Sequence, residues 1–205
     1  MQLRRDDVLT GALEVLDGDG LEGITMRKLA AHLGVQAGGL YWHFANKQTL
    51  FEAMADKILE GVGAPVEPGP WDEQVGELAR RLRRALLSHT DGARLVAGTY
   101  VTEKNTVAVG QVWFDVLRAA GIATDRVGWV GFSLSSYVLG HTIEEQGLAG
   151  SPPAVGSTGK AATSDAAESA DVEAMISAVA AADPADRFEY GLSVFLDGLR
   201  YQMER

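Results

Sequence analysis

The chain has 205 residues and no cysteine, which excludes disulfide frameworks, thiolate zinc sites and cysteine nucleophiles. Hydrophobic residues make up 46% of the chain and charged residues 22%, a composition that excludes collagen-like, coiled-coil and wholly disordered proteins. No apolar run is long enough to span a bilayer, and none follows Arg4 and Arg5 near the N-terminus. We therefore expect a globular cytoplasmic protein without a membrane partner.

The formal net charge is −10, and a chain this acidic argues against a polyanionic partner. The charge is unevenly distributed, however. No acidic residue lies between Glu22 and Glu52, whereas Arg27, Lys28 and Lys47 lie there. We call this segment the acid-free window. Its local positive charge keeps a nucleic-acid partner open.

Apolar residues at spacings of three and four predict four helices in the N-terminal part. They run from Arg5 to Leu16, ended by Asp17-Gly18-Asp19-Gly20; from an N-cap at Thr25 to Gly34; from Gln36 to Phe44; and from an N-cap at Asn46 to Leu59. The Pro- and Gly-rich stretch from Gly61 to Pro70 then predicts a linker.

The same spacing predicts five helices in the C-terminal part. They run from Trp71 to Leu87, from an N-cap at Thr102 to Gly121, from Arg126 to about Gln146, from Glu173 to Ala182 and from Asp186 to Met203. A loop is expected from His89 to Thr102, and a mobile loop of small residues at about 147–170. Because no strand-like alternation occurs, the predicted fold class is all-α, with a small N-terminal bundle and a larger C-terminal one.

The second and third predicted helices are joined by the turn Gly34-Val35-Gln36, which is typical of a helix-turn-helix. In that arrangement the second helix enters the DNA major groove, and small residues at its front let the backbone approach. The expected contacts are Arg27 to a guanine edge, the backbone at Ala37, Gly38 and Gly39, and phosphate contacts from Tyr41, Trp42 and His43. Leu40 and Phe44 are expected in the core, and Trp42 fits either role.

Motifs of the acid-free window resemble the DNA-binding domain of the TetR family of bacterial regulators. The residues that carry the resemblance are Ile24 to Ala30, Leu33-Gly34-Val35, Leu40 to Phe44, Asn46-Lys47 and Leu50. A second set is similar to the C-terminal domain of the tetracycline repressors: Ala85 to His89, Asp91-Gly92-Ala93, Gly98-Thr99, Thr102-Glu103-Lys104, Leu139-Gly140 and Glu144-Glu145-Gln146. The resemblance covers nearly the whole chain.

The resemblance implies a homodimeric repressor that binds a palindromic double-stranded DNA operator and dissociates when a small-molecule effector enters the C-terminal domain. By motif position, Lys47 would contact the DNA backbone. The tetracycline repressors carry larger residues where this chain has Ala37, Gly38 and Gly39, so the operator is expected to differ. The implied domains are a helix-turn-helix domain at 1–46 and a ligand-binding and dimerisation domain at 47–205, beginning with a connecting helix at 47–60.

The resemblance also bears on the effector. In the tetracycline repressors two His and one Asn hold the drug and its magnesium ion, and the corresponding positions here are Val96, Gly63 and Leu78. Because these residues cannot hold a hard cation, we expect no metal, no cofactor and an apolar effector. The expected lining is Leu78, Leu82, Val96, Val101, Val112 and Trp113, with sparse polar groups from Thr99, Tyr100, Asn105 and Ser135. Without an effector, the same residues would fill a core.

Two apolar stripes predict a dimer interface of four helices, two from each chain. One stripe is Val127, Val130, Leu134, Tyr137 and Val138; the other is Phe188, Leu192, Phe195, Leu196, Leu199 and Met203. The alternative is that both stripes face their own chain. An effector that touches the loop from His89 to Thr102 is expected to tilt the connecting helix and change the spacing of the two DNA-reading surfaces.

Two other classes of function stay open. An enzyme could pair His89 with Asp91, or His141 with Glu144 or Glu145, as acid and base, but no nucleophile elbow, phosphate loop or metal spacing completes either pair. We therefore expect no catalytic residue. A dimeric helical module without operator binding is the other alternative, because Gly38 and Gly39 weaken the reading helix.

Overall fold

The computed structural model describes residues 3–99, 103–150 and 166–204, and every regular element within those ranges is a helix. The helices are α1 (Arg5–Gly23), α2 (Met26–His32), α3 (Ala37–Leu40), α4 (Lys47–Ile58), α5 (Trp71–Leu87), α6 (Gly92–Ala97), α7 (Lys104–Ala119), α8 (Thr124–Gly150), α9 (Ala166–Ala181) and α10 (Pro184–Met203). The all-α prediction is confirmed. Within the described ranges, no helix is both apolar enough and long enough to cross a membrane.

Helix α1 extends further than predicted. The Asp-Gly repeat does not end it after Leu16, because Asp17 and Asp19 remain helical and only Gly20 leaves the helical region, with φ 69° and ψ 177°. Glycine adopts this positive φ without a steric penalty, so the chain kinks there instead of stopping. The helix resumes after the kink and ends at Gly23.

Local capping sets the starts of α2 and α4, as predicted. The Thr25 hydroxyl accepts the Lys28 N–H at 3.1 Å, and the Asn46 side chain accepts the Thr49 N–H at 2.9 Å. Gly34 ends the turn after α2 with φ 66°. Helix α3 is shorter than the predicted Gln36–Phe44, because the chain turns after Leu40.

Helices α1–α4 form the N-terminal bundle around one apolar core. Its fully buried members include Val8, Leu16, Leu29, Leu40 and Leu50. Helix α6, predicted as part of a loop, also belongs to this core, since Leu95 is buried in it and Val96 packs against it. The prediction of a loop from His89 to Thr102 missed this helix and the burial of Leu95.

Helices α5, α6 and α7 pack on one another, and α4 packs against both α6 and α7. The linker approaches α7 so closely at Gly63 that an added Cβ would lie 2.5 Å from the Ala108 carbonyl carbon. Arg81 fixes the linker to α5 by donating to the Ala64 carbonyl at 2.8 Å. The N-cap of α7 is Glu103, which makes no side-chain cap; the predicted cap, Thr102, lies outside the described residues.

Residues 147–205 form a separate unit. Both ends of the predicted mobile loop are helical instead, because α8 continues to Gly150 and α9 begins at Ala166. The rest of that loop lies outside the described residues. The Asp183 carboxylate caps α10 by accepting the Ala185 N–H at 2.7 Å, and Pro184 occupies the first turn, where its missing N–H costs nothing.

Candidate functional site

The surface around α3 exposes the residues predicted to contact DNA. Trp42 is 91% exposed and Tyr41 is 52% exposed. The other predicted contacts are either exposed (Arg27, Gly38 and Lys47) or half-buried (Ala37, Gly39 and His43). The ambiguity over Trp42 is resolved, because its side chain lies outside the core. We call these eight residues the reading surface.

Leu40 and Phe44 hold the reading surface on the bundle. Both are buried, as predicted, and Phe44 also lies under the guanidinium of Arg5, 4.7 Å from the ring centroid. Leu40 and Phe44 lie four positions apart on the buried side of this turn, so Tyr41 and Trp42 between them face outward. The packing of α3 thereby presents polar-tipped aromatic side chains that can donate to phosphates.

The two glycines of α3 have no packing reason within the described chain. A Cβ added at Gly38 or Gly39 would meet no atom within 4 Å, whereas one added at Gly11 of α1 would lie 2.6 Å from Leu33 Cδ2. Glycine in a helix costs about 1 kcal/mol relative to alanine. Packing therefore explains Gly11, whereas Gly38 and Gly39, like Gly110 of α7, have no packing role among the described residues.

The positive charge of the acid-free window is partly neutralised by α1. Lys28 Nζ lies 2.8 Å from a carboxylate oxygen of Asp19, and His32 Nε2 lies 2.8 Å from one of Glu14. Sequence reasoning missed both pairs because the acids lie outside the window. Arg27 and Lys47 are the exposed cations that remain on the reading surface, and the Lys47 ammonium also lies 4.8 Å from the ring centroid of Phe51.

Four of the predicted effector contacts lie in the packed interior. Leu78 and Leu82 are buried on α5, and Val112 and Trp113 are buried on α7, which packs against α5. Trp113 also faces α8, because a Cβ added at Gly131 would lie 3.9 Å from Trp113 Cβ. The indole N–H of Trp113 is buried and has no hydrogen-bond acceptor among the described residues.

The remaining predicted effector contacts lie elsewhere. Val96 packs against the core of the N-terminal bundle, and the Thr99 hydroxyl donates to the Val96 carbonyl at 3.0 Å, within its own helix turn. Ser135 is half-buried on α8. Tyr100 and Val101 lie outside the described residues. Sequence spacing alone could not reveal that α6 belongs to the bundle, because its apolar partners are distant in the chain.

Asn105 connects α7 to α4 through Asp56. Its backbone N–H and that of Thr106 both donate to Asp56 Oδ1 at 2.9 Å, and its side-chain amide donates to Asp56 Oδ2 and to the Asp56 carbonyl, each at 3.0 Å. The carboxylate of α4 therefore caps the N-terminus of α7, which has no cap of its own. The amide predicted to face an effector is already bonded.

An open cleft of about 380 Å³ lies between the linker and α7. Of the predicted effector contacts, Val112 alone lines it. The polar groups at this cleft are Gln74, Gln111 and Asp115, none of which was singled out from the sequence, and Gln111 donates to Asp115 at 2.9 Å. Gln111 and Asp115 lie four positions apart on α7, and this spacing was the sequence signal that could have identified them.

Of the two histidine pairs considered for an enzyme, one is replaced by another contact. His89 Nδ1 lies 2.9 Å from Asp17 of α1, and Asp91 accepts from Leu21 and Arg94. His141 Nδ1 lies 3.8 Å from Glu145 Oε2, so this second pair is in proximity.

Glu145, which carries part of the resemblance in the C-terminal domain, lies against α5. It is mostly buried and bonded at both carboxylate oxygens to Arg83, at 2.6 and 2.9 Å.

The predicted dimer stripes are mostly buried within the chain. Val127, Leu134 and Val138 on α8 are buried, and so are Phe188, Leu192 and Leu199 on α10. Neighbouring rows are exposed instead. On α8, Trp129 is 75% and Phe132 is 76% exposed, and on α10 the exposed row is Tyr190, Val194 and Tyr201. These two rows, one on each helix, are large enough to mark contact surfaces.

The chain matches two family profiles. Residues 8–54 match the profile described as bacterial regulatory proteins of the tetR family, and residues 64–203 match the tetracycline repressor-like C-terminal domain. The first profile ends inside α4, beyond the predicted boundary at 46.

Individual proteins are similar over nearly the full length. The class A tetracycline repressor protein from transposon 1721 of Escherichia coli is 37% identical over 202 residues, which are 97% of this chain and 91% of that protein. A possible TetR family transcriptional regulator from Streptomyces coelicolor A3(2) superposes with a TM-score of 0.84 at 35% identity, covering 97% of this chain and 99% of that one. BioQ, in a crystal structure with its natural double-stranded DNA operator, gives 0.72 at 33% identity, covering 97% and 98%.

Proposed function

Because the chain belongs to the TetR family of transcriptional regulators, we propose that it is a cytoplasmic repressor that binds a palindromic operator as a homodimer and is released by a largely apolar small molecule. The observation that carries this proposal is the reading surface, which exposes Trp42 and Tyr41 and contains two glycines without a packing role. The structure of BioQ with its operator shows that a similar fold binds DNA.

On this proposal, the reading surface enters the major groove with the α3 backbone close to the bases. Gly38 and Gly39 permit that approach, and Arg27 and Lys47 supply the positive charge against phosphates. The acidic remainder of the chain repels DNA, so only one orientation of the protein is favourable. Affinity for the operator then falls steeply with salt concentration.

The operator is found by selection from a randomised duplex library with the full-length chain. The affinity of the selected duplex is then measured by fluorescence anisotropy for the wild type, Lys47→Ala and Lys104→Ala. Lys104 is the matched control, because it is an exposed lysine at the start of α7. We expect Lys47→Ala to weaken binding and to reduce the salt slope by about 1, and Lys104→Ala to change neither. No enrichment of any duplex, or equal effects of the two variants, would contradict operator binding and favour the helical module without DNA.

The homodimer is supported separately by the exposed rows on α8 and α10. Each row holds large apolar side chains that water would otherwise solvate at a cost of about 25 cal/mol per Å². Phe132→Asp places a charge in the α8 row, and Val107→Asp places one on an exposed site of α7. We expect sedimentation equilibrium to give a dimer for the wild type and Val107→Asp and a monomer for Phe132→Asp. A dimer in all three removes the α8 row from the interface.

The effector is proposed to enter between α5 and α7, where the buried side chains of Leu78, Leu82, Val112 and Trp113 would line its site. An effector with a hydrogen-bond acceptor would satisfy the indole N–H of Trp113. Tetracycline with magnesium is not the proposed effector, because a Cβ at Gly63 would lie 2.5 Å from the α7 backbone and a side chain that holds the drug's polar edge has no room there.

The test is release of the selected duplex by a panel of apolar aromatic ketones, with tetracycline plus Mg²⁺ as the comparison. Leu82→Phe, which adds apolar volume at the proposed site, should reduce release by an active ketone while the duplex still binds. If tetracycline plus Mg²⁺ releases the duplex, or if the ketone that acts on the wild type acts equally on Leu82→Phe, the proposed site is wrong.

A further inference from the structure

The last turn of α1 lacks a regular helical hydrogen bond, and the segment between α5 and α6 binds the two groups concerned. In an uninterrupted helix the Leu21 N–H would donate to the Asp17 carbonyl, four residues earlier. The kink at Gly20 breaks this geometry. The Leu21 N–H donates instead to Asp91 Oδ2 at 2.9 Å, and the Asp17 carbonyl accepts the Thr90 hydroxyl at 3.2 Å. Both partners of the lost helical bond are therefore satisfied by the same segment.

We call Ser88–Asp91 the hinge segment. The Asp17 side chain binds it as well, because Oδ1 accepts the Thr90 N–H at 2.9 Å and Oδ2 lies 2.9 Å from His89 Nδ1. Four contacts thus join the end of α1 to residues that follow it by about 70 positions in the sequence. Such directional contacts are lost after displacements of an ångström or less.

Backbone conformation points to the same place. Asp91 has φ 55°, which a residue with a side chain rarely adopts, and the facing Gly20 has φ 69°. A Cβ added at Gly20 would lie 3.1 Å from Asp91 Oδ2, so the two residues are in close contact. A left-handed backbone is strained for a residue with a side chain and persists when its surroundings hold it. Here the Asp91 carboxylate is held by Leu21 and, at 3.2 Å, by Arg94.

The hinge segment is also tied to the body of the protein. The side-chain amide of Gln146 on α8 donates to the Leu86 and His89 carbonyls at 3.1 and 2.8 Å and accepts the Ala93 N–H at 3.1 Å. One glutamine therefore bridges the end of α5 and the start of α6. A shift of α8 or α5 would displace the hinge segment and, through it, the end of α1.

Building on the proposed operator binding, we propose that Asp17 and Asp91 are positioning residues that make the end of α1 a second mechanical link, besides α4, between the effector domain and the reading surface. With the hinge segment in place, α1 is kinked and the N-terminal bundle is oriented for the operator. When the hinge segment withdraws, the Leu21 N–H can return to the Asp17 carbonyl and α1 straightens. Because the backbone groups are bonded in both arrangements, a small bias selects between them.

Three variants test this link on the duplex selected with the wild type. Asp91→Gly removes the carboxylate and keeps the left-handed backbone; Thr90→Val removes one hydroxyl and preserves shape; Glu22→Gln is the control at the exposed Arg94 pair beside the link. Affinity is measured for duplexes whose half-site separation is changed by one base pair in either direction. We expect Asp91→Gly to lower the affinity for the duplex of original half-site separation by about tenfold and to shift the preferred separation. Thr90→Val should shift the preferred separation in the same direction by a smaller amount. Glu22→Gln should match the wild type.

A second readout needs no DNA. The chain has no cysteine, so spin labels at Ala31→Cys on α2 and Gly110→Cys on α7, both exposed sites, report the orientation of the bundle in a labelled chain diluted with unlabelled chain. The label distance should change in Asp91→Gly and in Thr90→Val. Unchanged distances and spacing preference, with only a lower melting temperature, would reduce Asp91 and the Thr90 contact with Asp17 to structural supports and overturn the proposal. A changed distance without any selected duplex would support the link and contradict operator binding.

Discussion

The N-terminal bundle and helices α5–α8 are held together by different kinds of contact. The bundle has an apolar core, with Leu16, Leu40 and Leu50 fully buried, and its helices begin at local caps. Helices α5–α8 add buried polar bonds between residues far apart in sequence, such as Arg83 with Glu145. An apolar core tolerates small rotations, whereas directional polar bonds break abruptly. The bundle is therefore suited to rotate as a unit, and the directional polar contacts are suited to define its orientation.

Arg83→Ala should give the largest loss of stability, because it leaves the mostly buried Glu145 carboxylate without its main partner. We expect the free energy of unfolding to fall by about 3 kcal/mol, as for other broken buried pairs. Urea denaturation measures it. The matched control is Arg84→Ala, whose pair with Glu77 is exposed and should contribute less than about 1 kcal/mol. Equal losses would show that the α5–α8 joint has no special role.

Asp56→Ala should remove the cap that α4 supplies to α7, at a cost of about 1–2 kcal/mol. A double-mutant cycle with Asn105→Ala isolates the joint, because the two side chains bond each other. We expect the two losses to be strongly non-additive and Asp56→Ala to reduce affinity for the selected duplex. Additive losses would mean that α4 and α7 are fixed by their apolar contact alone.

Gly38→Ala should separate folding from DNA reading in the bundle. Its Cβ meets open space, so helix propensity should raise the free energy of unfolding by up to about 1 kcal/mol. Gly110→Ala is the matched control, an exposed helical glycine on α7 that also faces open space. Both variants should be stabilised, and Gly38→Ala alone should bind the selected duplex more weakly. Equal duplex binding by both would leave the α3 glycines without a role in reading.

The smallest effect is expected for Glu77→Gln. The hydrogen bond from Arg81 lowers the pKa of Glu77 below its ordinary value of 4.5, with a further contribution from Arg84. A lowered carboxyl pKa stabilises the fold above the ordinary value, and this stabilisation is lost as the pH falls through the folded-state pKa. Because Glu77 is 40% exposed, solvent screening keeps the gain small. The wild type should exceed Glu77→Gln in urea midpoint at pH 7, and the difference should shrink as the pH falls below the ordinary value of 4.5; a constant difference would contradict the assignment.

The same contrast explains what the sequence could predict. The caps at Thr25 and Asn46 and the ends of α5 follow from residues within a few positions of each helix end, so their bounds were predictable. The burial of Leu40 and Phe44 followed from their four-residue spacing, which leaves Tyr41 and Trp42 exposed between them. These signals are local, and local signals survive in a single sequence.

Long-range polar contacts were not predictable. The kink at Gly20, the cap from Asp56 and the burial of Glu145 each depend on a partner about 50 or more residues away, which no periodicity reveals. The same limit moved Val96 from the expected effector cavity to the bundle core. Asn105 was misjudged for the same reason, since its partner is on α4.

The central claim, that the α3 surface reads DNA, is tested most directly by Trp42→Ala. Its side chain is 91% exposed, so the substitution should leave the free energy of unfolding unchanged within about 0.5 kcal/mol. Affinity for the selected duplex, measured by anisotropy at fixed salt, should fall by about tenfold to a hundredfold, the loss of one good DNA contact. Unchanged affinity in a stably folded Trp42→Ala protein would contradict the claim.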